Sequence, residues 1–190
     1  MWSLDVGRRA GLAAALRLAA VLTAAGLTAG CWQPLYSAAP APNTEGVQEK
    51  FAAVDIPPIV APRGTPTERV AISLRNALQF DLHNGDHAFA PTYALKVNVG
   101  STQFTAVLDP VSGRPESQIE IVIAGYQLIE LATGKIVVND NCSGHVSYDI
   151  PGPQQRFAGQ RARRDAEDHA IEVVAQTIRN RLASYFVAGT

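Results

Sequence analysis

The sequence predicts an α+β fold, a two-layer sandwich in which two amphipathic helices pack on one face of a four-stranded, largely antiparallel sheet. Three observations lead there. Apolar residues recur every three or four positions over residues 66–82 and again over 171–185, but every second position over 93–99. The three long strand-like runs are joined by short turn-forming stretches, which makes them an antiparallel meander. Two apolar helical stripes are then available to cover one sheet face, leaving the other face polar.

The elements follow in order. Residues 51–56, FAAVDI, read as a short strand ended by Pro57 and Pro58, neither of which can donate to a ladder. Thr65-Pro66-Thr67-Glu68 is a helix start, with a capping hydroxyl, proline at the first helical position and an acid three residues after the cap. Val70, Leu74, Leu78 and Leu82 then form one apolar stripe, and Asn84-Gly85 supplies a left-handed stop. From Pro91 the period becomes two, and Tyr93, Leu95, Val97 and Val99 share one face of a half-buried strand reaching Leu108. A turn over residues 109–116 leads to a second strand over 117–131. A tight hairpin at 132–135 then leads to a third strand over 136–148. In that strand Ile136, Val138 and Cys142 are expected on one face, and the polar run 139–143 marks an edge or water-facing segment. After Pro151 and Pro153, residues 155–186 form a long helix with Ile171, Val174, Ile178, Leu182 and Tyr185 along its core side. Its polar face mixes signs, unlike a helix lying on a membrane surface.

The front of the chain sets its address. Arg8, Arg9 and Arg17 precede an uncharged ten-residue stretch, 18–27, and the small residues Thr28, Ala29 and Gly30 follow it. That is an export signal, and a run so short falls below the roughly 20 apolar residues a spanning helix needs. Cys31 directly after Ala29-Gly30 looks like a bacterial lipobox, with Thr28 where leucine is usual. The cysteine thiol is thus the expected lipidation site, and two or more acyl chains would make anchoring durable. Trp32 stands where an aspartate would commonly hold such a protein at the inner membrane, so the address resembles the cell outer membrane. The expected organisation is a signal over 1–30, a lipidated cysteine and flexible tether over 31–50, rich in Ala, Pro and small polar residues from 37 to 46, and a single domain over 51–190.

Three of the 16 Lys+Arg and one of the 17 Asp+Glu lie before Cys31, leaving a near-balanced 13 against 16. Such balance gives no reason to expect nucleic acid. A lipidated Cys31 leaves Cys142 without a disulfide partner, as a small buried hydrophobe. His83 and His87 have a zinc pair's spacing, but Gly85 ends the helix that spacing needs, and no metal is expected. Ser143, His145 and Ser147 neighbour one another on a strand without converging on one substrate atom, and Asp165, Glu167 and Asp168 read as a solvated helix face. With no phosphate loop, HExxH or CxxC, neither catalysis nor a cofactor is expected.

Gly30-Cys31-Trp32-Gln33-Pro34-Leu35-Tyr36 resembles the start of the LptE family of lipopolysaccharide-assembly lipoproteins of alphaproteobacteria. Asp165-Ala166-Glu167 and the run Ile178-Arg179-Asn180-Arg181-Leu182-Ala183-Ser184-Tyr185-Phe186 resemble that family's last helix, and the element order resembles its fold. The resemblance implies a non-enzymatic outer-membrane lipoprotein that plugs the LptD β-barrel and assists assembly of lipopolysaccharide into the outer leaflet. If the lipid's phosphates touch the chain, Arg114 and Arg156 are the candidate contacts, because their turns fall at the same end of the antiparallel sheet. The rival readings are an adaptor lipoprotein of another envelope transporter or peptidoglycan synthase, and a lipid-tethered hydrolase.

Overall fold

The computed structural model describes residues 46–83, 90–151 and 155–189. Its elements are α1 (Val47–Ala52), β1 (Val54–Asp55), α2 (Pro66–His83), β2 (Tyr93–Leu108), β3 (Pro115–Glu130), β4 (Ile136–Asp149) and α3 (Arg156–Ala188). They build one four-stranded sheet in the order β1-β2-β3-β4, with β1 parallel to β2 and the other pairs antiparallel. The parallel pair needs a crossover, and α2 supplies it. The expected α+β architecture is the observed one. The signal, Cys31, the Asn84-Gly85 stop and His87 lie outside the described residues.

Local chemistry explains the boundaries. Thr65 caps α2 by accepting the Glu68 amide on its hydroxyl, 3.3 Å, while the Glu68 carboxylate reaches past Thr65 to the Gly64 amide at 2.6 Å. Residues 51–52 belong to α1 and not to a strand, so the expected FAAVDI strand shrinks to Val54–Asp55. Val47 and Phe51 are four apart and both buried, and the Gly46 amide donates to Glu49 at 3.2 Å; residues 47–50, read as the end of the tether, are helical. Phe51 meets Phe186 edge-on with ring centroids 5.7 Å apart, and Lys50 donates to the Phe186 carbonyl at 3.2 Å. These contacts fix α1 at the end of the sheet that holds the start of β2, the β3–β4 hairpin and the end of α3, called the entry end below.

One sheet face carries the core. Leu95 and Val97 of β2, then Val122, Ala124, Tyr126 and Leu128 of β3, meet Val70, Leu74, Leu78 and Leu82 of α2 and Ile171, Val174, Ile178 and Leu182 of α3. Residues of β3 alternate with the pleat, so the even-numbered ones are buried from Glu120 to Leu128. The expected stripes of both helices are the buried ones, although Tyr185 is only partly buried. Near the hairpin a register shift pairs Leu128 with Val138 but Ile129 with Ile136. The extra residue, Val137, turns Ile136 to the opposite face from Val138, and Ile136 is exposed instead of sharing a face with Val138 and Cys142.

Element lengths decide what stays uncovered. Sixteen-residue strands run roughly 50 Å and the 33-residue α3 about as far, whereas the 18 residues of α2 span only about 27 Å. The second half of β2, from Thr102 to Leu108, is therefore exposed on both faces.

Candidate functional site

The end opposite the entry is built from the β2–β3 turn, the exit of β4 and the start of α3. Asp109 organises the turn: it accepts the Ser112 hydroxyl at 2.5 Å and the Val111 amide at 2.8 Å, and these bonds, the hydroxyl first, hold its carboxyl below the usual range. Gly113 takes a left-handed conformation, φ 67°, which closes the turn. Arg114 leaves this turn and Arg156 opens α3, so the fold places both at the same end of the sheet. Arg114 lines a cleft of about 570 Å³ with Asp109, Ser112, Glu116, Ile150 and Pro151; Arg156 does not line it. Neither arginine has an ion-pair partner among the described residues. The sequence reading missed the apolar side chains beside them. Phe104, Leu108, Val111 and Phe157 are largely exposed here: Phe104 lies on the sheet face turned away from both helices, and α2 stops short of this end.

The outer sheet face, away from both helices, divides into two halves. Strand register sets its rows as Lys96, Gln127 and Asn139, then Asn98, Gly125 and Asn141, then Gly100, Ile123 and Ser143, then Thr102, Ile121 and His145, then Phe104, Ile119 and Ser147. The first two rows form a polar hollow of about 410 Å³ toward the entry end. The last three carry an isoleucine ridge flanked by small and polar residues. The polar run 139–143 is an edge, as read from the sequence, since β4 is the last strand.

Beneath the helices lies a buried charge cluster. Glu167, expected on a solvated face, is 3% exposed and pairs with Arg69 at 2.5 Å; Asp168, exposed, meets the same arginine at 3.3 Å. Glu120 is 1% exposed, accepts from Gln103 at 2.9 Å and has Arg163 at 3.7 Å. Gln103 extends the network to Tyr148, which donates to Gln118 at 2.7 Å. Desolvation raises the Glu120 pKa, with the Gln103 hydrogen bond and the Arg163 charge opposing and Glu167 adding to the rise. A carboxyl whose folded pKa exceeds its unfolded value binds more protons folded, so its contribution is favourable at low pH and is lost as pH rises through the raised pKa. Glu120→Gln should remove that dependence. Urea midpoints taken at about pH 5 and about pH 8 should then fall less for the variant than for the wild type.

The remaining sequence candidates stay apart from these features. His83 is buried with Nε2 2.8 Å from the Val54 carbonyl. Ser143 and His145 do meet, Oγ to Nε2 at 3.0 Å, but both are exposed on the open sheet and no carboxylate joins them among the described residues. Cys142 is half-buried beside the Val174 carbonyl, and burial first, then Asp140, pushes its thiol up to about 11, so little reactive thiolate exists at neutral pH.

No family model matches the chain, and no curated protein matches it in sequence. Solved structures do. A protein of Caulobacter crescentus assigned as a lipoprotein aligns with a TM-score of 0.57 at 17% identity, over 75% of this chain and 96% of that one. Rare lipoprotein B from Shewanella oneidensis aligns at 0.51 and 15%, over 70% and 96%. Uncharacterized lipoprotein B from Nitrosomonas europaea aligns at 0.52 and 12%, over 72% and 84%. At such identities the likeness is one of fold: this chain shares the α+β sandwich of rare lipoprotein B and similar lipoproteins.

Proposed function

We propose that the chain is an outer-membrane lipoprotein, anchored through Cys31, that plugs and steadies the LptD β-barrel and assists assembly of lipopolysaccharide into the outer leaflet. The observation that carries this reading is the sandwich shared with rare lipoprotein B over 70% of the chain, taken with the Gly30-Cys31 lipobox at its front. The exposed surfaces agree with it. A plug must present polar groups to a water-lined lumen, and the carboxamide rows of the outer face and the mixed-sign surface of α3 do so. The end opposite the entry combines Arg114 and Arg156 with exposed Phe104, Val111 and Phe157, a pairing of cations and apolar groups that suits a phosphorylated lipid. No step of this role calls for bond-making by the protein.

Affinity capture of the full chain from outer membranes tests the reading. A heat-modifiable β-barrel should be recovered; an inner-membrane transporter in its place would favour an adaptor role. In the same complex, the Arg114→Ala, Arg156→Ala double variant should keep the barrel while binding purified lipopolysaccharide more weakly. Unchanged lipid binding removes the two arginines from the contact set.

A further inference from the structure

Strand β2 is partnered along one side by β3 and, among the described residues, along the other only by β1 at its start. On the β1 side the Tyr93 amide donates to the Ala53 carbonyl at 3.2 Å, while the Thr92 carbonyl accepts from Leu131 on the β3 side at 2.9 Å. Backbone direction alternates along a strand, so Leu95, Val97, Val99, Ser101 and Gln103 all turn their amides and carbonyls away from β3. β1 pairs only with Tyr93 and Ala94. Pro57 and Pro58 follow it, and proline has no amide with which to extend the ladder. Among the described residues no backbone hydrogen bond reaches β2 from that side beyond this pairing.

An edge this long normally carries charges or proline that repel a stray strand. The twelve residues from Val97 to Leu108 contain neither. The opposite edge, β4, carries Asp140, His145 and Asp149. The chain thus guards one edge and leaves the other fit for pairing. From Thr102 onward both faces of β2 are exposed as well, Phe104 by 68%, so a strand laid alongside would cover side chains as well as bond the backbone.

We propose that the outward edge of β2 from Val97 to Gln103 is a strand-addition site, filled by an extended, weakly charged segment of the barrel partner. This rests on the plug reading above. A row of alternating amides and carbonyls is matched only by another extended backbone, which supplies affinity by the same ladder that joins β2 to β3.

The test compares the full chain, free and in its purified complex with the captured barrel, by amide hydrogen exchange. Protection over residues 97–105 should appear on complex formation. Ser101→Pro removes an outward donor and leaves the β3 ladder intact, so it should weaken the complex about tenfold, whereas Ser101→Ala should not. If the proline variant fails to fold, the exchange of the wild-type complex decides alone. Recovery of the barrel without protection over 97–105 overturns the edge assignment and leaves the plug reading standing. Protection in a self-associated form of the free chain gives the edge to a second copy and overturns the proposal. Recovery of no barrel at all overturns the plug reading together with the chosen occupant.

Discussion

Gly144→Ala is expected to lower the unfolding free energy by about 3 kcal/mol, the upper part of the range for overpacking a filled core. Gly144 faces the helices opposite Val122 of β3, and α3 passes directly over it. A methyl group added there would sit 2.2 Å from the Ala170 carbonyl oxygen and 3.1 Å from the Ala170 Cα. Both are backbone atoms of a long helix, so no side chain can swing aside. Relief requires α3 to lift from β4, which would loosen Val174 and Ile178 where they meet the sheet. A typical domain has only about 5–15 kcal/mol in hand, so the loss is large. Gly100→Ala is the control, because a Cβ there meets nothing within 4 Å. Urea denaturation should show a lower midpoint for the Gly144 variant and little change for the Gly100 variant. Equal midpoints would mean that α3 does not press on β4 as described.

Nothing in the local sequence Asn141-Cys142-Ser143-Gly144-His145 announces that a helix crosses there, because close approach is a property of tertiary packing. The long elements were legible for the opposite reason. Val70, Leu74, Leu78 and Leu82 repeat often enough to define a helical stripe, and Tyr93 to Val99 alternate long enough to define a face. α1, with six residues, is too short for a period to show. Its signal was the single pair Val47 and Phe51. The buried acids were in principle readable: Glu120 is in phase with Val122, Ala124, Tyr126 and Leu128, and Glu167 lies one turn before Ile171 on the same stripe. For Glu167 charge suggests a solvated face, yet phase decides burial, and the partly exposed Arg69 and Arg163 reach the two acids from the rim. The common end of Arg114 and Arg156 follows from counting antiparallel strands. The apolar side chains beside them do not: Phe104 is out of phase with Leu95 and Val97, and no periodic cue brings Val111 of the turn or Phe157 of α3 to the same end.

Replacing Cys31 should have the largest effect of any single change on where the protein resides. Behind a cleavable signal of a secreted, non-lipidated protein, the Cys31→Ala chain is expected to wash off membranes in alkaline carbonate, while the wild type stays in the pellet. The argument is one of competing attachments. Each buried methylene of an acyl chain contributes about 0.8 kcal/mol, so one chain holds marginally and two or more hold durably. Among the described residues no helix is long and apolar enough to cross a membrane, and the apolar run at 18–27 is half the roughly 20 residues a span requires. On the plug role proposed above, the attachment left to the variant would be to the barrel, through contacts that the wash is expected to break. The mass of the mature amino terminus supplies the second readout: the wild type should begin at Cys31 and carry acyl chains. An unmodified Cys31, or a wild type released as readily as the variant, would remove the lipid anchor from the account and leave the sandwich without its place at the membrane.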